Sequence, residues 1–242
     1  MNDLLKQVIS RPDTWRGFQQ PQTARTITPS SANSDWHGVP SIPTGFIELD
    51  DKIHVGGWPT SGFTEVLSEQ PGLDSIGLFL PVMAKLCDQK RWQAFINAPQ
   101  IPYAPMLATH YIDPQQILLV HPKTKEDILW ATEQAIRSTT CSIVFAWLGQ
   151  HAYRYSELRK LQLAAATNDT VVVLFRDNAS AGYYTPASLR LRLPAYRVVD
   201  ILKQRGGKKH HNIALPPNTD IPHSPPTWEI PVTVQPNYRA LS

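Results

Sequence analysis

The chain has 242 residues, 42% of them hydrophobic, with 23 Lys and Arg against 20 Asp and Glu and a formal net charge of +3. That length and apolar content predict one sizeable core with tails, and a charge so near balance does not by itself make a nucleic-acid binder. No apolar run approaches the roughly 20 residues that cross a bilayer. The opening MNDLLKQVIS also lacks the basic and apolar regions of a secretory signal. A cytoplasmic protein with no membrane partner is expected.

In chain order, residues 1–41 read as a short amphipathic helix, with Leu4, Leu5, Val8 and Ile9 on one face, followed by a flexible arm rich in Pro, Ser, Thr and Gln. Residues 42–204 read as the folded core, and 205–242 as a basic, then proline-rich, disordered tail. Within the core, strands are predicted at 63–67, 92–97, 116–121, 141–148 and 170–175, each a continuous apolar run of the kind that is buried on both faces. Helices are predicted between them at 75–89, 102–111, 124–138 and 155–168, and Thr124 and Asp127 form a near capping box at the start of the third. This alternation defines an α/β fold with a mainly parallel central sheet. SLRLRL (188–193) and YRVVDILK (196–203), joined by Pro194 and Ala195, predict a C-terminal antiparallel hairpin at the sheet edge.

The stretch SEQPGLDSI (68–76) follows the first core strand and opens the first core helix, the position of a phosphate-binding P-loop. Laid on GxxxxGK[ST], Ser68 stands for the first Gly, Leu73 for the second, Asp74 for the Lys and Ser75 for the hydroxyl that meets Mg²⁺. Only Ser75 keeps its chemistry. At about 5 Å and an effective dielectric near 20, exchanging Lys for Asp turns about 3 kcal/mol of attraction per phosphate charge into as much repulsion.

The run IPTGFIELDDKIHVGGWPTSGFTEVL (42–67) resembles the lead-in to the P-loop of the RecA recombinase core. Over about 40–208 the chain resembles ImuA, the RecA-like accessory family of mutagenic translesion synthesis. The resemblance is carried by GGWP (56–59), RWQAFINAPQIPYAP (91–105), LWATEQAIRS (129–138), AWL (146–148), RKLQLAA (159–165), LRLRL (189–193) and ILKQRGGKK (201–209). A second resemblance, over about 77–193, is to SulA, the SOS-induced inhibitor of cell division. A RecA-like site would also need a Mg²⁺-shell carboxylate near Ala146 or Trp147 and a general-base Glu near Pro99, and this chain has neither. The resemblance to ImuA therefore implies a RecA-like core that is a degenerate pseudo-ATPase without cofactor. It would act as an adaptor in SOS-induced translesion DNA synthesis beside an ImuB-type polymerase-like partner, with RecA and DNA as further contacts. The resemblance to SulA implies the alternative, an inhibitor that binds FtsZ. The TG…GGWP lead-in and the ILKQRGGKK exit lie outside the SulA resemblance, which ranks ImuA first.

Trp147 has two readings, a recognition residue at the crevice of an open sheet or a filler of the volume a nucleotide would take. Arg190 and Arg192 alternate with leucines, so with Arg197 they give the hairpin a cationic face, and Lys203, Arg205, Lys208 and Lys209 follow. These cations are candidates for binding a partner or DNA, and the hairpin face reads equally as a solvated edge. Glu48, Asp50 and Asp51 suit capping and solvation. His110, His121 and His151 show no metal-ligand spacing, the isolated Cys87 and Cys141 read as buried thiols, and the absence of a GxSxG elbow gives a hydrolase no anchor. No metal site is expected.

Overall fold

Continuous apolar runs can only be satisfied by cover on both faces, and the sheet has it. The computed structural model describes residues 14–16, 40–69 and 72–216. The strands are β1 (Thr14–Arg16), β2 (Ser41–Ile42), β3 (Trp58–Pro59), β4 (Phe63–Ser68), β5 (Trp92–Ile96), β6 (Ile117–Val120), β7 (Cys141–Trp147), β8 (Val171–Asp177), β9 (Leu189–Ala195), β10 (Val198–Gln204) and β11 (His210–Ala214). The α-helices are α1 (Ile47–Asp50), α2 (Leu80–Cys87), α3 (Ala104–Thr109), α4 (Lys125–Arg137) and α5 (Tyr155–Ala166). Among the described residues none is long and apolar enough to cross a membrane.

The main sheet has the order β1-β6-β5-β7-β8-β4-β9-β10-β11. From β6 to β9 neighbouring strands are parallel, while β1, β10 and β11 run antiparallel to theirs. Alternate side chains feed two cores. Phe145 and Trp147 of β7 and Val173 and Phe175 of β8 point to the layer that holds α1, α2 and α3. Val144, Ala146, Val172 and Leu174 point to the layer of α4 and α5. Thr124 caps α4 as expected, its hydroxyl accepting from the Asp127 N–H at 3.1 Å.

Four local departures have physical causes. The helix expected over 75–89 begins as a 3-10 helix, Leu73–Phe79, and turns α-helical only at Leu80. Pro81 would clash with the carbonyl four residues back, so it is accommodated only in a first turn. Gly45 (φ +91°) lets the lead-in press on that proline, since a Cβ there would lie 2.4 Å from the Pro81 Cβ. The hairpin turn falls at Tyr196–Arg197, two residues after the expected Pro194–Ala195, because Arg197 adopts the left-handed conformation (φ 56°). The expected boundary at 204/205 falls inside the sheet, since 205–209 is the turn between β10 and β11, and Ile213 and Leu215 are buried. At the other end, Thr14–Arg16 of the expected arm adds an edge strand to β6. The expected helix around Leu4–Ile9, the rest of the arm and the tail beyond 216 lie outside the described residues.

Candidate functional site

In open α/β sheets, ligands bind beyond the carboxyl ends of the parallel strands. Here β4 ends at Ser68, and the chain enters the 3-10 helix behind Gly72. Ser68 and Ser75 are buried, and the Ser68 Oγ has no hydrogen-bond partner. Leu73 and Asp74 open the 3-10 helix, and their side chains lie outside the described residues. Pro99 is exposed beyond the end of β5. Ala146 is fully buried against the α4 and α5 layer, on the opposite face from the 3-10 helix. Trp147 shares the face of the 3-10 helix, 2% exposed, with its ring 4.6 Å from Phe175 and 5.9 Å from Phe95. The ring contacts continue through Phe145, edge-on to Phe79, and on to Trp58. Trp147 is thus a core residue, held also by its carbonyl, which accepts from the Asn97 side chain at 2.8 Å. A side chain so deeply buried offers no exposed recognition surface.

The cations divide into engaged and free ones. Arg190 is 6% exposed, with its Nε 2.8 Å from Glu65, and its other nitrogens donate to the carbonyls of Ser180 (2.6 Å), Ala181 (3.1 Å) and Tyr183 (3.0 Å). Arg176 meets the same carboxylate at 2.7 Å. Burial pulls the Arg190 guanidinium below its ordinary value, and the Glu65 charge opposes that. Arg192 is tied to Asp200 at 2.5 Å, and Arg197 donates to the Pro216 carbonyl. Lys203 donates to the Thr185 carbonyl at 2.7 Å, and burial draws its ammonium down. The cationic face expected on the hairpin is therefore corrected: Arg190 is buried under residues 180–183, and Arg192, Arg197 and the exposed Lys203 are each tied to Asp200, the Pro216 carbonyl or the Thr185 carbonyl. Arg205, Lys208 and Lys209 are exposed and form no ion pair among the described residues.

Glu65 and Arg176 escaped the sequence reading. The signal was present, since a lone carboxylate in a strand covered on both faces needs a buried counter-charge. Asp50, from the acidic group 48–51, accepts from the Thr44 N–H at 2.9 Å. Burial raises its carboxyl, and Thr44 opposes the rise. Cys87 and Cys141 are buried and unpaired, and burial pushes the Cys141 thiol up to about 11. No His, Cys, Asp and Glu gather at metal-ligand spacing among the described residues.

The structure is thus an α/β sheet with an aromatic core beside the carboxyl ends of β7 and β8 and with Arg190, Arg192, Arg197 and Lys203 engaged by the fold. Residues 63–172, from the start of β4 into β8, match the family described as "Cell division inhibitor SulA". The "Cell division inhibitor SulA" of Edwardsiella piscicida is 31% identical over 93 residues, which cover 37% of this chain and 54% of that protein. The chain thus spans about half the length of the curated relative it matches, and over that stretch it is SulA-like. The first-ranked expectation, a translesion adaptor of the ImuA kind acting with an ImuB-type partner, is overturned by these matches, which support the alternative. That ranking rested on the lead-in and the exit, both outside the matched stretch.

Proposed function

We propose that this chain is a SulA-like inhibitor of cell division, cytoplasmic and SOS-linked, that binds FtsZ and acts by occupying a surface. The match over 63–172 carries the reading, because it takes in the parallel strands from β4 to the start of β8 and both helices of the α4 and α5 layer. We also infer that the core is RecA-like, with the nucleotide site abandoned. The strand, turn and helix order around 63–87, the glycine-bearing lead-in and the parallel sheet support that, and the Trp147 stack supports the loss of the site. The chain then performs no chemistry, so inhibition is stoichiometric. Light scattering of GTP-dependent FtsZ assembly tests this: near-equimolar chain, without ATP, suppresses assembly. Unchanged assembly with the chain in excess would overturn the proposal.

A further inference from the structure

An apolar groove lies at the β6 edge of the sheet, where β1 joins it. β1 pairs antiparallel with β6, with Thr14 opposite Val120, Trp15 opposite Leu119 and Arg16 opposite Leu118. The chain before Thr14 therefore meets the sheet at the carboxyl end of β6. That end is tied to the β5–α3 connection, because the Asn97 N–H donates to the Val120 carbonyl at 2.8 Å. Shortly after Asn97, the residues Ile101, Tyr103 and Pro105 form the rim of a groove of about 430 Å³ whose floor is Leu107, Ile117 and Leu119. The floor is buried and the rim is not, since Ile101 is 70% and Tyr103 57% exposed. No charged side chain of the described residues lines it. An exposed apolar rim over an apolar floor is surface that a fold covers when it can.

We infer that this groove is the seat of the chain's own first residues, a short helix that lays Leu4, Leu5, Val8 and Ile9 over the rim. Three observations carry this. The four apolar residues share one helical face, with Asp3, Lys6, Gln7 and Ser10 opposite, so the stripe is as uncharged as the groove. Pro12 disfavours a helical conformation at Arg11, which ends the helix by Ser10 and leaves Arg11–Asp13 as a link with a reach of about 10 Å. Leu119, in the groove floor, is the register partner of Trp15, so the link starts beside the groove. The tether decides between occupants. A segment so fastened acts at an effective concentration on the order of a millimolar, which a second copy or a separate protein does not match. Each side also needs the other: so short a helix is marginal alone in water, and β1 is shorter than an ordinary strand. The inference goes beyond the FtsZ reading and does not rest on it.

The test uses the full chain with one engineered thiol pair at a time. Leu4→Cys, Leu5→Cys and Val8→Cys are each joined with Ile101→Cys, oxidised in dilute solution and read by mass spectrometry of tryptic peptides. Asp3→Cys with Ile101→Cys is the control, since it carries the thiol on the polar face at nearly the same tether length. The native Cys87 and Cys141 are buried and do not compete. An intramolecular disulfide is expected in at least one of the three pairs and its loss in the control. A second readout needs no thiol. In Leu4→Ser/Leu5→Ser/Val8→Ser/Ile9→Ser, backbone hydrogen exchange over 101–107 and 117–120 should quicken by about tenfold or more, with β7 and β8 exchanging as in the parent. The cross-link decides independently of that variant's stability. The inference is overturned if no pair cross-links, if the control cross-links as readily, or if the serine variant exchanges as the parent does. Disulfide-linked dimers in place of the intramolecular bond would also overturn it, by making a second copy the occupant. Failure of the parent chain to inhibit FtsZ would count against the proposed function and leave the cross-link result readable.

Discussion

Glu65 sits in the middle of β4 with no solvent exposure, and removing such a group from water costs several kcal/mol before any partner is counted. Arg176 and Arg190 supply opposite charge at 2.7 and 2.8 Å, which leaves an excess of one positive charge. The carbonyls of Ser180, Ala181 and Tyr183 absorb that excess, so the ion group and the 178–187 segment stabilise each other. Glu65→Gln keeps the shape and removes the counter-charge from both guanidiniums. The expected loss is about 3–5 kcal/mol in urea denaturation, and a loss below about 1 kcal/mol would mean that water or backbone alone satisfies the arginines. At this scale the sequence was half legible. The alternation of Arg190 and Arg192 with leucines correctly put the arginines on one face. The destination of Arg190 was hidden, because the segment that covers it has no periodicity and the acid that pairs with it is far upstream, in β4.

Elements were read best where one pattern governed a whole run. β4 to β8 followed from apolar runs, and α4 from its stripe and its Thr124 cap. The start of α2 was misjudged because one residue, Pro81, outweighed the apolar periodicity on either side of it. β11 was missed because HHNIA is short and polar, and an edge strand needs only one apolar side chain pointing inward. Its weight is testable. Truncation after Gln204 removes Ile213 and Leu215, each 8% exposed and worth about 1.5–3 kcal/mol of burial. It also removes the Asn212 N–H from Asp200. The truncated chain should melt well below the parent, and an unchanged Tm would place β11 outside the cooperative fold. Burial pushes the Asp200 carboxyl up, but the Asn212 N–H and Arg192 more than offset this and hold it below its ordinary value. A carboxylate held low stabilises the fold above its unfolded value and loses that contribution as pH falls through the folded one. Truncation should therefore also flatten the acid side of the stability profile.

Taken whole, the molecule is a layered α/β sheet with a cluster of aromatic rings packed on the face that carries the 3-10 helix. Titration calorimetry with MgATP should show no binding at physiological concentration, because no Lys closes the loop, Pro99 and Ala146 cannot serve water or Mg²⁺, and Trp147 occupies the core. Micromolar affinity would refute the proposed loss of a nucleotide site. The fold class was legible because alternating strands and helices leave few layer arrangements, whereas the hydrogen bond from the His54 N–H to the Gln204 side chain was not, since no local pattern announces a contact made across 150 residues. The place of β4 in the sheet has a last consequence, for biosynthesis. As the ribosome delivers the chain, β4 emerges first of the central strands, yet its neighbours are β8 and β9, and Arg176, which neutralises Glu65, follows it by 111 residues. At ordinary elongation rates that is on the order of ten seconds during which an apolar strand with a naked carboxylate has neither neighbour. The nascent chain must therefore wait for its own second half, with β4 a natural client for a ribosome-associated chaperone.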